Sequence, residues 1–251
     1  MKKSCVLVSG GAGYIGSHTA VELIGAGYDV VIVDNLSNSD MDAVEGVRRI
    51  TGVDVPFEKA DCCDRDAFAR VFEKYDFDSV IHFAASKAVG ESVSKPLEYY
   101  RNNLMSFMNV IGLMREYGRQ NIVFSSSCTV YGEPEKQPIE ETDRTEPTNP
   151  YGATKLAIEN MLKWCDRAYG IRCAALRYFN AAGSDTEAGI GEDHNPESHL
   201  IPLVMKTALG QRDHIGIFGE DYPTPEAVAR RCAEGLVRRE GDKCHNDHSQ
   251  S

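Results

Sequence analysis

The chain has 251 residues, 27 basic and 38 acidic side chains, a formal charge of −11, 42% hydrophobic residues and 26% charged ones. Such a chain is globular and can bury a large core, which excludes a collagen, a disordered tail and a small disulfide-stapled scaffold. The acidic balance argues against binding to nucleic-acid phosphates, and no stretch nears the ~18–20 apolar residues of a membrane span.

Met1-Lys2-Lys3 imitates the start of an export signal. The apolar run that follows, Cys5–Val8, is short and is interrupted by Gly10, Gly11 and Gly13, so no export is expected and the cytoplasm is the default location. Ser4–Ser9 is the first predicted strand and Tyr14–Gly25 the first predicted helix. Further strands are expected at Val30–Asp34, Val55–Ala60, Ser79–Ala85, Asn121–Ser127 and Cys173–Phe179. Between them, helical periodicity covers Met41–Ile50, Asp64–Lys74, Pro96–Tyr117 and Pro150–Tyr169. The run Val30-Val31-Ile32-Val33 is apolar at every position, as a strand covered on both faces requires. Strand–helix alternation of this kind predicts an α/β fold, a doubly wound parallel sheet of the Rossmann type.

After Asn180 the pattern changes. A polar loop over Ala181–Ser198 precedes a predicted helix at Leu200–Leu209 and a short strand at His214–Phe218. Residues 1–180 are therefore read as a dinucleotide-binding domain, 181–225 as the start of a substrate-binding domain, and 226–251 as a divergent tail. Within the tail, Ala227–Arg239 could form one exposed helix, and Gly241–Ser251 is expected to be disordered. The eight cysteines form no C-x-x-C pair, and most stand in apolar runs as small buried hydrophobes. Cys232, Cys244, His245 and His248 match no common zinc-finger spacing, so no metal site is expected.

Ser9-Gly10-Gly11-Ala12-Gly13-Tyr14-Ile15-Gly16 lies between the first strand and the first helix. It contains G-x-G-x-x-G and the overlapping spacing Gly10, Gly13, Gly16. Glycines permit the tight turn and a close approach to a pyrophosphate, which the N–H groups of the helix N-terminus attract. Asp34, 21 residues after Gly13, ends the second strand where a carboxylate can accept bonds from ribose hydroxyls. It would repel a 2′-phosphate, so NAD is expected over NADP. Asp61 follows the third strand, placed for the adenine amino group, with turn capping as the alternative.

Pro150-Tyr151-Gly152-Ala153-Thr154-Lys155 contains Tyr-x-x-x-Lys. With Asn149 as cap and Pro150 in the first turn, Tyr151 and Lys155 share one helix face. A phenol titrates near pH ~10, and a neighbouring ammonium together with a positive nicotinamide is expected to lower that value and make Tyr151 a general acid/base toward a sugar hydroxyl. The cluster Ser125-Ser126-Ser127 ends the preceding strand, where a doubly wound sheet places its ligands, and Ser127 would bond the reacting oxygen.

Together the stretches SGGAGYIGSH, VDNLSNS, HFAASKAVGES, NNLMSFMNV, VFSSSCTVYGE, NPYGATKLAIE, LRYFNAAG, HLIPLV and IFGEDYPTP cover about residues 4–225. In them the chain resembles the extended short-chain dehydrogenase/reductases, most closely the UDP-glucose 4-epimerases. The resemblance implies an NAD site lined by Tyr14, Ile15, the turn Asp34, Asn35, Leu36, Ser37, Asn38 and Ser39, then Asp61, Cys62, Phe83, Ala84, Ala85, Ser86, Lys87 and Asn102. It implies Ser127, Tyr151 and Lys155 as the catalytic group, with Phe179 near the nicotinamide. Ser127 and Tyr151, with Asn180, His199, Leu200, Ile217 and Phe218, would begin a UDP-sugar pocket. The implied reaction is C4 oxidation and re-reduction of UDP-glucose and UDP-galactose, in a cytoplasmic homodimer formed through the two long helices.

The resemblance stops after Pro225, where Glu226–Cys232 replaces the family's continuation. The expectation is therefore of a truncated or frame-disrupted epimerase that lacks part of its substrate domain, with an impaired NAD-binding remnant as the alternative. A related nucleotide-sugar 4,6-dehydratase is disfavoured, because Cys128 and Thr129 stand where those enzymes carry an Asp-Glu pair.

Overall fold

The computed structural model describes residues 3–185, 189–192, 197 and 199–216. The chain separates into two compact units, Met1–Asp193 and His194–Ser251. In the first unit, six strands form one sheet: β1 Cys5–Ser9, β2 Asp29–Asp34, β3 Phe57–Lys59, β4 Ser79–His82, β5 Asn121–Ser127 and β6 Arg172–Tyr178. Their order is β3-β2-β1-β4-β5-β6 and every pairing is parallel. The order reverses between β1 and β4, the crevice where open α/β sheets bind ligands at the strands' carboxyl ends.

The helices are α1 Tyr14–Gly25, α2 Met41–Thr51, α3 Arg65–Lys74, α4 Val89–Ser94, α5 Pro96–Glu116 and α6 Pro150–Tyr169. Strand alternation divides the apolar side chains between two cores. Val6, Val8, Val30 and Ile32 pack with Ala20 of α1 and Val44 and Val47 of α2. Leu7, Val31, Val33, Ile122 and Phe124 pack with Phe68 of α3, Phe107 and Val110 of α5, and Ile158 and Leu162 of α6. Burial on both faces is why β1 and β2 read as unbroken apolar runs.

Most expected elements appear within a residue or two. The third strand, Phe57–Lys59, is shorter than Val55–Ala60, so Asp61 stands two residues past its end. The fourth stops at His82, because Phe83 and Ala84 turn to donate to the Ser9 carbonyl. Two short elements escaped the sequence reading: α4, which has no apolar period, and a 3₁₀ turn at Cys128–Tyr131. Among the described cysteines only Cys62 is fully buried, and Cys173 is exposed on edge strand β6, so the expectation of mostly buried thiols is not met.

In the second unit, α7 spans Leu200–Ala208, and its Leu200, Ile201 and Met205 are exposed. His214–Gly216 is not a strand. The remainder of that expected strand, the helix Ala227–Arg239 and the tail Gly241–Ser251 lie outside the described residues. No helix among the described residues is long and apolar enough to cross a membrane.

Phe107 is completely buried against His82 of β4 and Phe124 of β5, edge-on to Phe124 with ring centroids 5.7 Å apart. Phe107→Ala is expected to lower stability by about 3–5 kcal/mol. The midpoint of urea unfolding reads this directly, and an unchanged midpoint would contradict the assigned core.

Candidate active site

The turn after β1 is tied to β2, since Gly10 and Gly11 both donate to the Val33 carbonyl, at 2.8 and 3.3 Å. Gly10 has φ 73°, and a Cβ there would lie 2.6 Å from the Ala84 nitrogen. At Gly16 a Cβ would collide with the Gly10 carbonyl oxygen, so α1 can press onto the turn only as glycine. Gly13, the N-cap, offers α1 no side-chain cap, and the first turn carries no acidic residue. A Cβ on Gly13 would meet only the Gly10 carbonyl oxygen, at 3.3 Å, so space opens before the uncapped N–H groups. That cradle fits a pyrophosphate.

Asp34 closes the turn from the side. One carboxylate oxygen accepts from the Ala12 N–H at 3.1 Å, and the other from the Leu36 N–H at 2.9 Å and the Ser39 hydroxyl at 2.8 Å. Turn capping and ribose recognition are thus compatible roles, because the oxygen that accepts only from Ala12 keeps acceptor capacity. Leu36 adopts φ 58°, Ser37 donates its N–H to the Asn35 side chain, and Ser37 and Asn38 are exposed. Asn35 donates to Asp61 at 3.2 Å, joining the turns that follow β2 and β3. Asp61 also accepts from the Cys63 N–H at 2.7 Å, and burial pushes the Cys62 thiol up. The Tyr14 hydroxyl donates to the Gly183 carbonyl at 2.5 Å, and Ile15 follows it on α1.

The segment Phe83–Lys87 is bound to α5 and through it to α6. Ser86 donates its N–H to Asn103 at 2.8 Å and accepts from Asn102 on its hydroxyl at 3.1 Å. Asn103 donates to the Ser86 carbonyl at 3.1 Å and to the Thr154 hydroxyl at 3.0 Å, and Thr154 donates to the Tyr151 carbonyl at 2.7 Å. Ala85 and Lys87 are half-buried beside this network. Asn103 and Thr154 were not singled out from the sequence, although Asn103 directly follows a residue that was.

Tyr151 and Lys155 do share one face of α6, which Asn149 caps through the Gly152 N–H at 2.9 Å. Lys155 is buried, donates to the Ser125 carbonyl at 2.8 Å, and stands 4.9 Å from the Phe124 ring centre and 5.6 Å from that of Tyr151. Ser127 is buried at the end of β5 and accepts from the Thr129 N–H and hydroxyl, at 3.2 and 3.0 Å. The protein's own groups do not by themselves supply the expected lowering of the Tyr151 phenol, which also calls for a positive nicotinamide. Burial pushes the phenol above the usual tyrosine value, and the hydrogen bond with Ser127 opposes this without cancelling it. Burial also pushes Lys155 down to about 7, which weakens its charge near neutrality.

Phe179 and Asn180 follow β6, both exposed, and the Phe179 ring stacks 6.5 Å from Tyr131. His199 and Leu200 open α7 in the second unit, and the His199 N–H donates to Glu197 at 3.0 Å. Ile217 and Phe218 lie outside the described residues. The arrangement thus sets an uncapped helix N-terminus, the Asp34 carboxylate and a Ser–Tyr–Lys group along one end of a single sheet.

The folded value of Lys155, near 7, is below that of an exposed lysine, about 10.4. Between these values the unfolded chain binds the extra proton, so this residue makes stability rise with pH, and its charge costs most at pH 7 and below. Replacing it in Lys155→Met is expected to flatten that rise by up to about 1.4 kcal/mol per pH unit. Denaturant unfolding at pH 7 and 9 would show it, and identical pH slopes for both proteins would contradict the assignment.

A family model described as the NAD dependent epimerase/dehydratase family matches residues 6–237. The UDP-glucose 4-epimerase of Halalkalibacterium halodurans is 50% identical over 226 residues, 90% of this chain and 65% of that protein. The enzyme of the same name from Bacillus subtilis is 48% identical over 93% of this chain and 71% of its own length. Among solved structures, the UDP-glucose 4-epimerase of Bifidobacterium longum in complex with NAD+ and UDP superposes with a TM-score of 0.86 at 44% identity, over 88% of this chain and 67% of that one. The chain spans about two thirds of the length of the relatives it matches.

Proposed function

The chain belongs to the NAD dependent epimerase/dehydratase family, and from that premise we propose that it interconverts UDP-glucose and UDP-galactose by transient oxidation at C4. The observation that carries this reading is the meeting of Ser127, Tyr151 and buried Lys155 at the carboxyl end of β5, on the sheet whose β1 and β2 ends form the glycine turn and Asp34. Relatives and structural neighbours of the same name, including one holding NAD+ and UDP, support it.

NAD is the cofactor, held at Gly10, Gly13 and Gly16, at Tyr14 and Ile15, and at Asp34–Ser39. The site continues through Asp61, Cys62, Phe83–Lys87 and Asn102, with Phe179 toward the nicotinamide. When bound, it supplies a hydride acceptor and donor for the sugar C4. Tyr151 takes the proton from the C4 hydroxyl and later returns it, which leaves net isomerisation. Ser127 shares the hydrogen bond to that oxygen. Lys155, through the Ser125 carbonyl, fixes the end of β5 and adds positive charge that favours the phenolate. Asn180, His199, Leu200, Ile217 and Phe218 are assigned to UDP-sugar binding from their sequence motifs alone. On this reading residues 1–180 are the dinucleotide domain, 181–225 open the substrate-binding portion and 226–251 form a divergent tail.

The protein acts in the cytoplasm as a homodimer. Leu97, Tyr100 and Met108 recur along α5 and are exposed, as is Trp164 on α6. Large apolar groups at helical spacing in the open are the mark of a contact surface. Charges placed there by Leu97→Glu with Trp164→Glu are expected to convert a dimer to a monomer of unchanged helix content. Sedimentation equilibrium reads the mass, and a parent protein that stays monomeric at high concentration would contradict the dimer.

The activity is tested with purified protein, NAD and UDP-galactose, detecting UDP-glucose with a coupled dehydrogenase. Turnover that falls about 10²–10⁴-fold in Tyr151→Phe is the expected result. Protein that holds NAD but forms no product would contradict the epimerase reading and leave cofactor binding standing.

A further inference from the structure

Tyr151, Lys155 and a third residue, Glu159, lie four apart on α6 and continue one stripe toward β5. Glu159 is 5% exposed. One of its carboxylate oxygens accepts from the Ser126 hydroxyl at 2.5 Å and from Arg177 Nε at 3.0 Å, while the other accepts from Arg177 Nη2 at 2.7 Å. Arg177 lies on β6 directly opposite Ser126 of β5. Its remaining nitrogen, Nη1, donates to the Tyr131 hydroxyl at 2.8 Å and to the Glu141 carbonyl at 3.2 Å, and its guanidinium stands 4.7 Å from the Tyr131 ring centre.

We propose that the Glu159–Arg177 pair is the positioning element of the active site, holding α6 in register on β5 so that the Tyr151 hydroxyl meets Ser127. The inference rests on the proposed role of Tyr151 and extends it to two residues that touch neither sugar nor cofactor.

Two features separate this from ordinary packing. First, the pair grips Ser127 from both sides in the chain. Ser126 precedes it, and Tyr131 closes the 3₁₀ turn that Ser127 itself caps. Second, a two-pronged buried ion pair contributes directional constraint more than net stability, since apolar residues of similar volume often serve as well or better for stability. The other polar ties from α6 to β5 among the described residues are Lys155 to the Ser125 carbonyl and the Tyr151–Ser127 contact. A single ammonium on a flexible stem fixes a distance, whereas the planar fork of Arg177 also fixes an orientation.

The experiment compares the 251-residue chain with Glu159→Gln and with the double variant Glu159→Met/Arg177→Met. The double variant removes both charges and so leaves none buried alone. Expected for the double variant is a retained cooperative melt, kcat about 10–100-fold lower and KM within about threefold, as for a small misplacement of a reacting group. A second readout needs no turnover. Tyrosinate absorbance titrated in each protein, minus the same titration with Tyr151→Phe added, isolates the Tyr151 phenol. Its midpoint is expected to move toward the ordinary tyrosine value in both variants as water reaches the loosened site. A folded double variant with unchanged kcat and an unchanged phenol midpoint would overturn the proposal. If the parent chain shows no turnover, the epimerase reading fails by itself and the phenol titration decides the positioning role. If the double variant does not fold, the titration of Glu159→Gln decides it.

Discussion

A lysine ammonium buried against a strand is the constraint around which the site is built. Lys155 can lie there only if its protons find acceptors, because an unpaired buried charge costs several kcal/mol. The Ser125 carbonyl supplies one acceptor at 2.8 Å, and the rings of Phe124 and Tyr151 line the stem and head. That contact demands close seating of α6 on β5, which Ile158 and Leu162 supply from the apolar side. Gly152 assists at the other end, where any Cβ would stand 2.7 Å from the Thr129 carbonyl oxygen. Once α6 is seated in this way, Tyr151 has no choice but to face the end of β5.

The same sheet divides its work between two halves. The ends of β1 and β2 form the glycine turn and the Asp34 cap, while β4 and β5 carry Phe83–Lys87 and the serines. His82 links the halves beneath the surface, with Nδ1 2.7 Å from the Ser9 hydroxyl and Nε2 3.2 Å from that of Ser106. Burial pushes this imidazole down to about 3, so it stays neutral through the physiological range and donates from one nitrogen only. A neutral imidazole with a hydroxyl on each nitrogen joins β1 to α5 without placing another charge near Lys155.

Much of this was legible in the sequence because the relevant signals are local. Fully apolar runs mark strands buried on both faces, Asn149-Pro150 marks the start of α6, and a spacing of four puts Tyr151 above Lys155. The residues that escaped notice are polar groups set within apolar stripes and satisfied by partners far away in the chain. Asn103 meets Thr154 across 51 positions and Glu159 meets Arg177 across 18, and nothing local announces either pairing. Extending the Tyr151–Lys155 stripe by one more turn would have drawn attention to Glu159. The sequence shows that a lysine is near Tyr151, but not how deeply both groups are buried, and burial is the largest influence on each.

The proposed epimerisation requires that hydrogen leave C4 as hydride and return to the same carbon without entering water. UDP-galactose carrying deuterium at C4, incubated with the NAD-loaded chain, tests this most directly through the isotopic content of the UDP-glucose formed. Product that retains the label at C4, with no hydrogen taken from solvent, is the predicted result. Product with the label washed out, or unchanged substrate alone, would contradict the account.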